Sequence, residues 1–271
     1  MTTAHTQSVP GSPSTELLVR TFLTPVHRPT PPRELAWLGG ARTRRVRFDE
    51  DRSLAVYEWG PTNAPGVLLV HGWSGRGSQL GAFVAPLLER GRRVIAFDAP
   101  GHGRSDGGLT GLPELVTAVE RVLEAHEGIT AAIAHSMGAG ATTVAMSRGH
   151  ALERVAYLAP PENAEGYLRR VAFALGVDAE ATLRARERIE AYFGVPFAAL
   201  RGSTHAPAMR AALAIFHDPV DEDVPIAEAE RIAAAWPRAE LHRVQGVGHT
   251  RIARDPHVVE RAVEFILRGD A

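Results

Sequence analysis

Strand and helix signals alternate along most of this chain, and the alternation assigns it to the α/β class, a mostly parallel sheet with helices on both faces. Two further observations agree. Gly66–Val70 and Arg93–Phe97 are short, unbroken apolar runs, the pattern of strands covered on both sides. With 271 residues, 45% of them apolar, the chain can bury about three quarters of its unfolded surface.

The elements follow in order. Residues 1–16 are polar and aperiodic and read as a disordered leader. Residues 17–22 have the pattern of a short apolar helix, and Pro25, Pro29, Pro31 and Pro32 predict an extended strap after it. Residues 1–42 are therefore expected as leader and proline-rich strap, and 43–271 as one domain. In that domain residues 44–48 and 54–59 alternate as a hairpin with one wet face does. Residues 80–89 are helical, closed by Gly91. Helix 112–127, with Pro113 in its first turn, leads to strand 130–134, helix 137–148 and strand 155–158. After Pro160 and Pro161 the alternation stops: residues 162–194 hold two helical patterns with no strand between them. A small helical cap insertion over about 162–205 is the reading. Strand 212–216, helix 226–236, strand 240–244 and helix 256–267 complete the series.

Composition removes whole chemistries. The chain has no cysteine, and all thirty of its basic residues are arginine. Disulfides, zinc-thiolate sites, Fe–S clusters and thiol nucleophiles are excluded by the first fact. Schiff-base, pyridoxal-phosphate and P-loop lysine chemistry are excluded by the second. Oxygen nucleophiles, carboxylates and twelve histidines remain. A net charge of −1 gives no reason to expect nucleic acid or an anionic membrane as partner. No run approaches the ~18 apolar residues of a membrane span, and the polar N-terminus lacks a signal-peptide core. A cytoplasmic protein is expected, its oligomeric state open.

Chemistry concentrates at Ala134-His135-Ser136-Met137-Gly138, between an apolar strand and an Ala-rich helix. This small-x-Ser-x-Gly pattern is that of a nucleophile elbow, a turn so sharp that residues two positions from the serine must be small. It lifts the hydroxyl above the sheet, beside the free N–H groups of a helix N-terminus. Val70-His71-Gly72-Trp73 ends an earlier strand, so the Trp73 and Met137 amides are the expected oxyanion donors; one such donor is worth about 3 kcal/mol of barrier. Acidic residues Asp218, Asp221, Glu222 and Asp223 follow strand 212–216, and Gly248-His249 follows the last strand. A serine, acid, histidine order results.

These segments, with Phe97-Asp98-Ala99-Pro100-Gly101-His102-Gly103-Arg104-Ser105, resemble the α/β-hydrolase superfamily over roughly residues 43–268. The resemblance implies an α/β-hydrolase fold, with Ser136 as nucleophile, His249 as general base and then acid, and Asp221 as the group orienting His249. Asp221 is preferred to Asp218 because Asp221-x-x-Val224-Pro225 matches the family spacing. Alanine replaces the usual first glycine of the elbow. The implied activity is a carboxylesterase-like serine hydrolase acting on a small acyl substrate without cofactor. Thioesterase, lactonase, perhydrolase and C–C hydrolase activities share the same parts, and a non-catalytic ligand-binding protein of this fold is the competing class. Ser at the elbow argues against the carboxylate-nucleophile branches, and the missing lysine and cysteine against hydroxynitrile lyases and dienelactone hydrolases.

Other candidates receive plainer readings. His71 and His102 are expected to brace backbone, and His135 and His217 to be satisfied polar groups. His242 and His257 read as structural or exposed. No metal-ligand spacing occurs. Arg169, Arg170, Arg184, Arg186 and Arg188 alternate with glutamates as a solvated helix face, and several turning inward would suit an acidic substrate. Gly72, Gly75 and Gly77 with Asp98 imitate a dinucleotide-binding unit, but the third glycine falls one residue late, at Gly81.

Overall fold

Short apolar runs fold as strands here because both of their faces find cover. The computed structural model describes residues 12–268. Its eight strands are β1 (Arg42–Arg47), β2 (Ser53–Trp59), β3 (Gly66–Val70), β4 (Arg93–Phe97), β5 (Ile129–His135), β6 (Arg154–Leu158), β7 (Ala212–His217) and β8 (Ala239–Arg243). They form one sheet in the order β1-β2-β4-β3-β5-β6-β7-β8. The pairs β1–β2 and β2–β4 are antiparallel, and every other pair is parallel.

Alternate side chains of each strand enter opposite cores. Leu68, Val70, Ile95 and Phe97 face one layer, formed by helices α4 (Leu112–Glu124), α5 (Met137–Ser147) and α9 (Ile226–Ala235). Val67, Leu69, Val94 and Ala96 face the other, formed by α3 (Val84–Glu89) and α11 (Pro256–Ile266). Edge strand β1 exposes Arg42, Arg44, Arg45 and Arg47, charges that oppose pairing with a further strand.

Three expectations are corrected. The hairpin is not wet on one side throughout: β2 is buried on both faces, with Leu54 and Val56 in one core and Ala55, Tyr57 and Trp59 in the other. Its interior position between β1 and β4 is the cause. The segment expected as helix 80–89 starts as a 3-10 turn, Gly77–Phe83, before α3 begins. A Cβ at Gly77 would stand 2.9 Å from the Phe97 carbonyl oxygen, so the turn lies tight against β4.

The N-terminal stretch also differs from a leader and extended strap. Residues 1–11 lie outside the described residues, but residues 13–16 already belong to helix α1 (Pro13–Leu23). The Ser12 hydroxyl caps α1 by accepting from the Thr15 amide, and Pro13 supplies a pre-set φ at its first turn. Pro32 opens a second helix, α2 (Pro32–Leu38), so only the chain between α1 and α2 is strap. In the insertion, α6 (Glu165–Ala174) and α7 (Ala179–Phe193) are the two expected helices, and a one-turn helix, α8 (Gly202–His205), follows them. Helix α1 packs on α7, with Leu18 fully buried and Glu16 paired to Arg188. Thus α1 joins the cap.

Candidate active site

The β5-to-α5 turn holds Ser136 at φ 51° and ψ −128°, a strained conformation for a residue with a Cβ. Close neighbours account for it. A Cβ at Gly138 would lie 2.6 Å from the His71 carbonyl oxygen, and one at Gly72 would lie 2.8 Å from the Ser136 Cβ. The methyl of Ala134, in place of the usual glycine, is buried in the α4–α5 core. The Ser136 amide donates to the Leu158 carbonyl at 2.9 Å, which ties the elbow to β6.

Ser136 Oγ lies 3.0 Å from His249 Nε2, and His249 Nδ1 lies 2.8 Å from Asp221 Oδ2. A carboxylate only accepts, so Nδ1 carries the proton and Nε2 is free to accept from the Ser136 hydroxyl. His249 is the second residue of the short helix α10 (Gly248–Arg251) beyond β8. Asp221 Oδ1 accepts from the Asp223 and Val224 amides at 2.8 and 3.0 Å. Burial opposes the Asp221 charge, but His249 and those two amides outweigh it and hold its pKa below the usual carboxylate value.

Asp218 has other partners. Its Oδ1 accepts from the Val220 amide and its Oδ2 from the Gly248 amide at 2.7 Å. It closes the turn before the acid loop and anchors the His249 loop without touching the imidazole. Asp223 is exposed, and α9 has no side-chain cap. Among the described residues, Asp221, Asp223 and His249 bring three potential metal-ligand atoms within 4.8 Å. A cation there would have to displace the Asp221–His249 hydrogen bond.

Histidines fix the surrounding loops. His71 Nε2 accepts from the Ala99 amide at 2.9 Å, and its Nδ1 donates to the Gly72 carbonyl at 2.7 Å. His102 Nε2 accepts from the Ser74 amide at 3.0 Å, and its Nδ1 donates to the Pro100 carbonyl. Both sides of Trp73 are thereby held, which positions its amide. Burial lowers the pKa of His71 to about 4 and that of His102 to about 3, so both rings are neutral. His217 Nε2 donates to the Val224 carbonyl at 2.8 Å, bracing the acid loop.

His135 does more than the plain reading allows. Its Nε2 donates to the backbone carbonyl of His249 at 2.8 Å, with the two rings 4.9 Å apart. Burial, then the His249 charge, lowers its pKa to about 3. The residue before Ser136 thus fixes the backbone of the imidazole. Its acceptor is a main-chain oxygen far along the chain, so no side-chain pattern announces it.

Asp98, the acid of the dinucleotide imitation, is an internal clamp. Its Oδ1 accepts from the Gly77 amide, and its Oδ2 from the Tyr57 hydroxyl and the Arg104 amide, all at 2.8 Å. The glycine-loop N–H that a phosphate would need is already used.

Ser136 and His249 border a cleft of about 520 Å³ between sheet, strap and cap. Trp73 and Tyr167 line it and pack on Phe22 of α1, which lies 5.5 Å from Tyr167 and 6.3 Å from Trp73, ring centre to ring centre. Cap arginines Arg169, Arg184, Arg186 and Arg188 pair with Glu165, Glu180, Glu190 and Glu16, the solvated face expected, whereas Arg170 lines the cleft. Among the described residues no helix is long and apolar enough to cross a membrane.

Known proteins resemble the chain in both sequence and fold. The model of the alpha/beta hydrolase family matches residues 67–262. A serine hydrolase-like protein of Danio rerio is 40% identical over 85 residues, 30% of this chain and 26% of that one. A serine hydrolase-like protein of Dictyostelium discoideum is 38% identical over 110 residues, 38% of this chain and 30% of that one. The matches thus span under a third of either relative's length. A solved esterase of Pyrococcus furiosus superposes with a TM-score of 0.67 at 17% identity, covering 92% of this chain and 98% of its own.

Proposed function

The chain belongs to the alpha/beta hydrolase family, and from that premise we propose that it is a serine hydrolase cleaving a carboxylic ester or related acyl substrate through an acyl-enzyme on Ser136. One observation carries the reading. Ser136 is held in a strained turn at the edge of an open cleft, with Oγ 3.0 Å from an imidazole whose far nitrogen faces a buried carboxylate. Structural serines gain nothing from that strain.

In this mechanism His249 Nε2 takes the hydroxyl proton as Oγ attacks the acyl carbon. Asp221 keeps Nδ1 protonated and stabilises the imidazolium that forms. The carbonyl oxygen, now negative, accepts from the Met137 amide at the α5 N-terminus and from the Trp73 amide. His249 then gives its proton to the leaving group, and water enters by the same route in reverse to release the acid. Thioesters, lactones, peracids and activated C–C bonds suit the same relay, and the ester is the simplest member of that set.

Turnover of short-chain p-nitrophenyl esters tests the proposal. The wild-type protein hydrolyses them, and Ser136→Ala lowers kcat by a factor on the order of 10⁴ or more. A folded wild-type protein with no turnover above the Ser136→Ala background would leave ligand binding without catalysis as the role of the cleft.

A further inference from the structure

The charge along the cleft walls is uneven. Five arginines line it: Arg28, Arg33, Arg76, Arg170 and Arg254. Arg76 is neutralised, its Nε and Nη2 lying 2.7 and 3.2 Å from the two Glu34 oxygens. Glu34 also accepts the Ser78 hydroxyl, and Arg33 reaches it only at 3.9 Å. Among the described residues, no carboxylate lies within ion-pair distance of Arg28, Arg170 or Arg254.

These arginines fall into two groups. Arg170 of the cap and Asp223 of the acid loop both act on Tyr167, so the wall around Tyr167 holds charges of both signs. Arg254, in the 3-10 turn that continues α10 beyond His249, feels Arg33, Arg251 and Glu34. Burial and the two neighbouring guanidinium groups disfavour its charged form. With Glu34 spent on Arg76 and Ser78, the wall made by α2 and the turn after His249 keeps an uncompensated positive charge. Arg28 of the strap adds to it. Among the described residues, Arg254 is partly buried with no carboxylate at ion-pair distance, and Arg33, exposed, keeps only the long Glu34 contact at 3.9 Å. Guanidinium groups so placed are suited to fork-like binding of a carboxylate or phosphate.

We propose that Arg33 and Arg254, assisted by Arg28, form a recognition subsite for an anionic group, carboxylate or phosphate, carried by the acyl substrate away from the carbonyl that Ser136 attacks. The subsite rests on the serine-hydrolase reading of Ser136 for its role in turnover, but its binding of anions does not. Asp223 and Glu228 also line the cleft; Glu228 accepts from the Glu162 amide, Asp223 stands beside Asp221 and His249, and the charges that act on Arg254 are those of Arg33, Arg251 and Glu34.

Two measurements separate the claims. In the first, kcat/KM for p-nitrophenyl hemiglutarate is compared with that for p-nitrophenyl pentanoate, where a methyl replaces the carboxylate. The wild-type protein prefers the hemiglutarate by about tenfold or more, and the R33Q/R254Q protein loses that preference. In the second, titration calorimetry measures binding of glutarate and of inorganic phosphate to wild type and to R33Q/R254Q. Binding at least about tenfold weaker in the variant supports the subsite, and the tighter of the two anions identifies its source. Equal hemiglutarate preference in both proteins, or anion binding absent or unchanged by the substitutions, overturns it. Anion binding lost in R33Q/R254Q from a protein that turns over no ester would sink the hydrolase reading and leave the subsite standing.

Discussion

Asp218 and Asp221 are separated by two residues, and their oxygens do different things. Asp221 faces His249 Nδ1 at 2.8 Å, whereas Asp218 holds the Gly248 amide. Asp221→Asn should lower kcat by a factor on the order of 10³–10⁴ with KM little changed, because the imidazole loses its fixed tautomer. Asp218→Asn keeps an acceptor and should cost less than about tenfold. Steady-state kinetics of both variants decide the matter, and the reverse order would move the acid role to Asp218. His135 acts through its donor to the His249 carbonyl. His135→Leu should cost on the order of 10- to 100-fold in kcat by loosening the His249 loop. His135→Gln, which can place an amide donor where Nε2 stood, should recover most of it; equal losses in both would rule the donor out. The serine and the histidine were legible because both stand in short motifs, and Asp221 required the family spacing. His135 was not legible as a positioning group, since its partner is backbone on another loop.

Glycines set the limits of the elbow. A Cβ at Gly138 would meet the His71 and Val70 carbonyl oxygens at 2.6 and 2.7 Å, backbone that can yield only if β3 and α5 separate. At Gly140 the nearest atom is a Leu112 methyl at 3.9 Å. Gly138→Ala should therefore destabilise by about 1–3 kcal/mol, and any turnover of p-nitrophenyl esters should fall with it. Gly140→Ala should be neutral or add about 0.5–1 kcal/mol through helix propensity. Thermal unfolding of the pair checks this, and equal shifts would refute the steric account. Parallel strands were readable because burial on both faces leaves an unbroken apolar run. Helix α1 was legible only over residues 17–22, and α2 was hidden by the prolines, which mark strap and helix start alike. The choice depends on what α1 packs against, and that surface is α7, more than 150 residues away in the chain.

Across the whole molecule, buried neutral imidazoles tie stability to pH. His71, His102 and His135 have folded pKa values of about 4, 3 and 3, against 6.5 for a free ring. Below about pH 6.5 the unfolded chain takes up protons that the folded protein refuses, so the unfolded state binds more. Stability is fully present above that pH and falls steadily as the pH drops toward 4. The urea midpoint should be clearly lower at about pH 5 than at about pH 7.5; an unchanged midpoint would show that these rings are not held neutral. Ester hydrolysis by this route requires a reactive hydroxyl at Ser136, raised by the elbow and activated by His249. Mass spectrometry of the full-length protein after fluorophosphonate treatment addresses it most directly. One adduct, mapped to Ser136 and absent from both Ser136→Ala and His249→Ala, is the predicted result. A folded wild-type protein that stays unmodified, or carries its adduct on another residue, would contradict it.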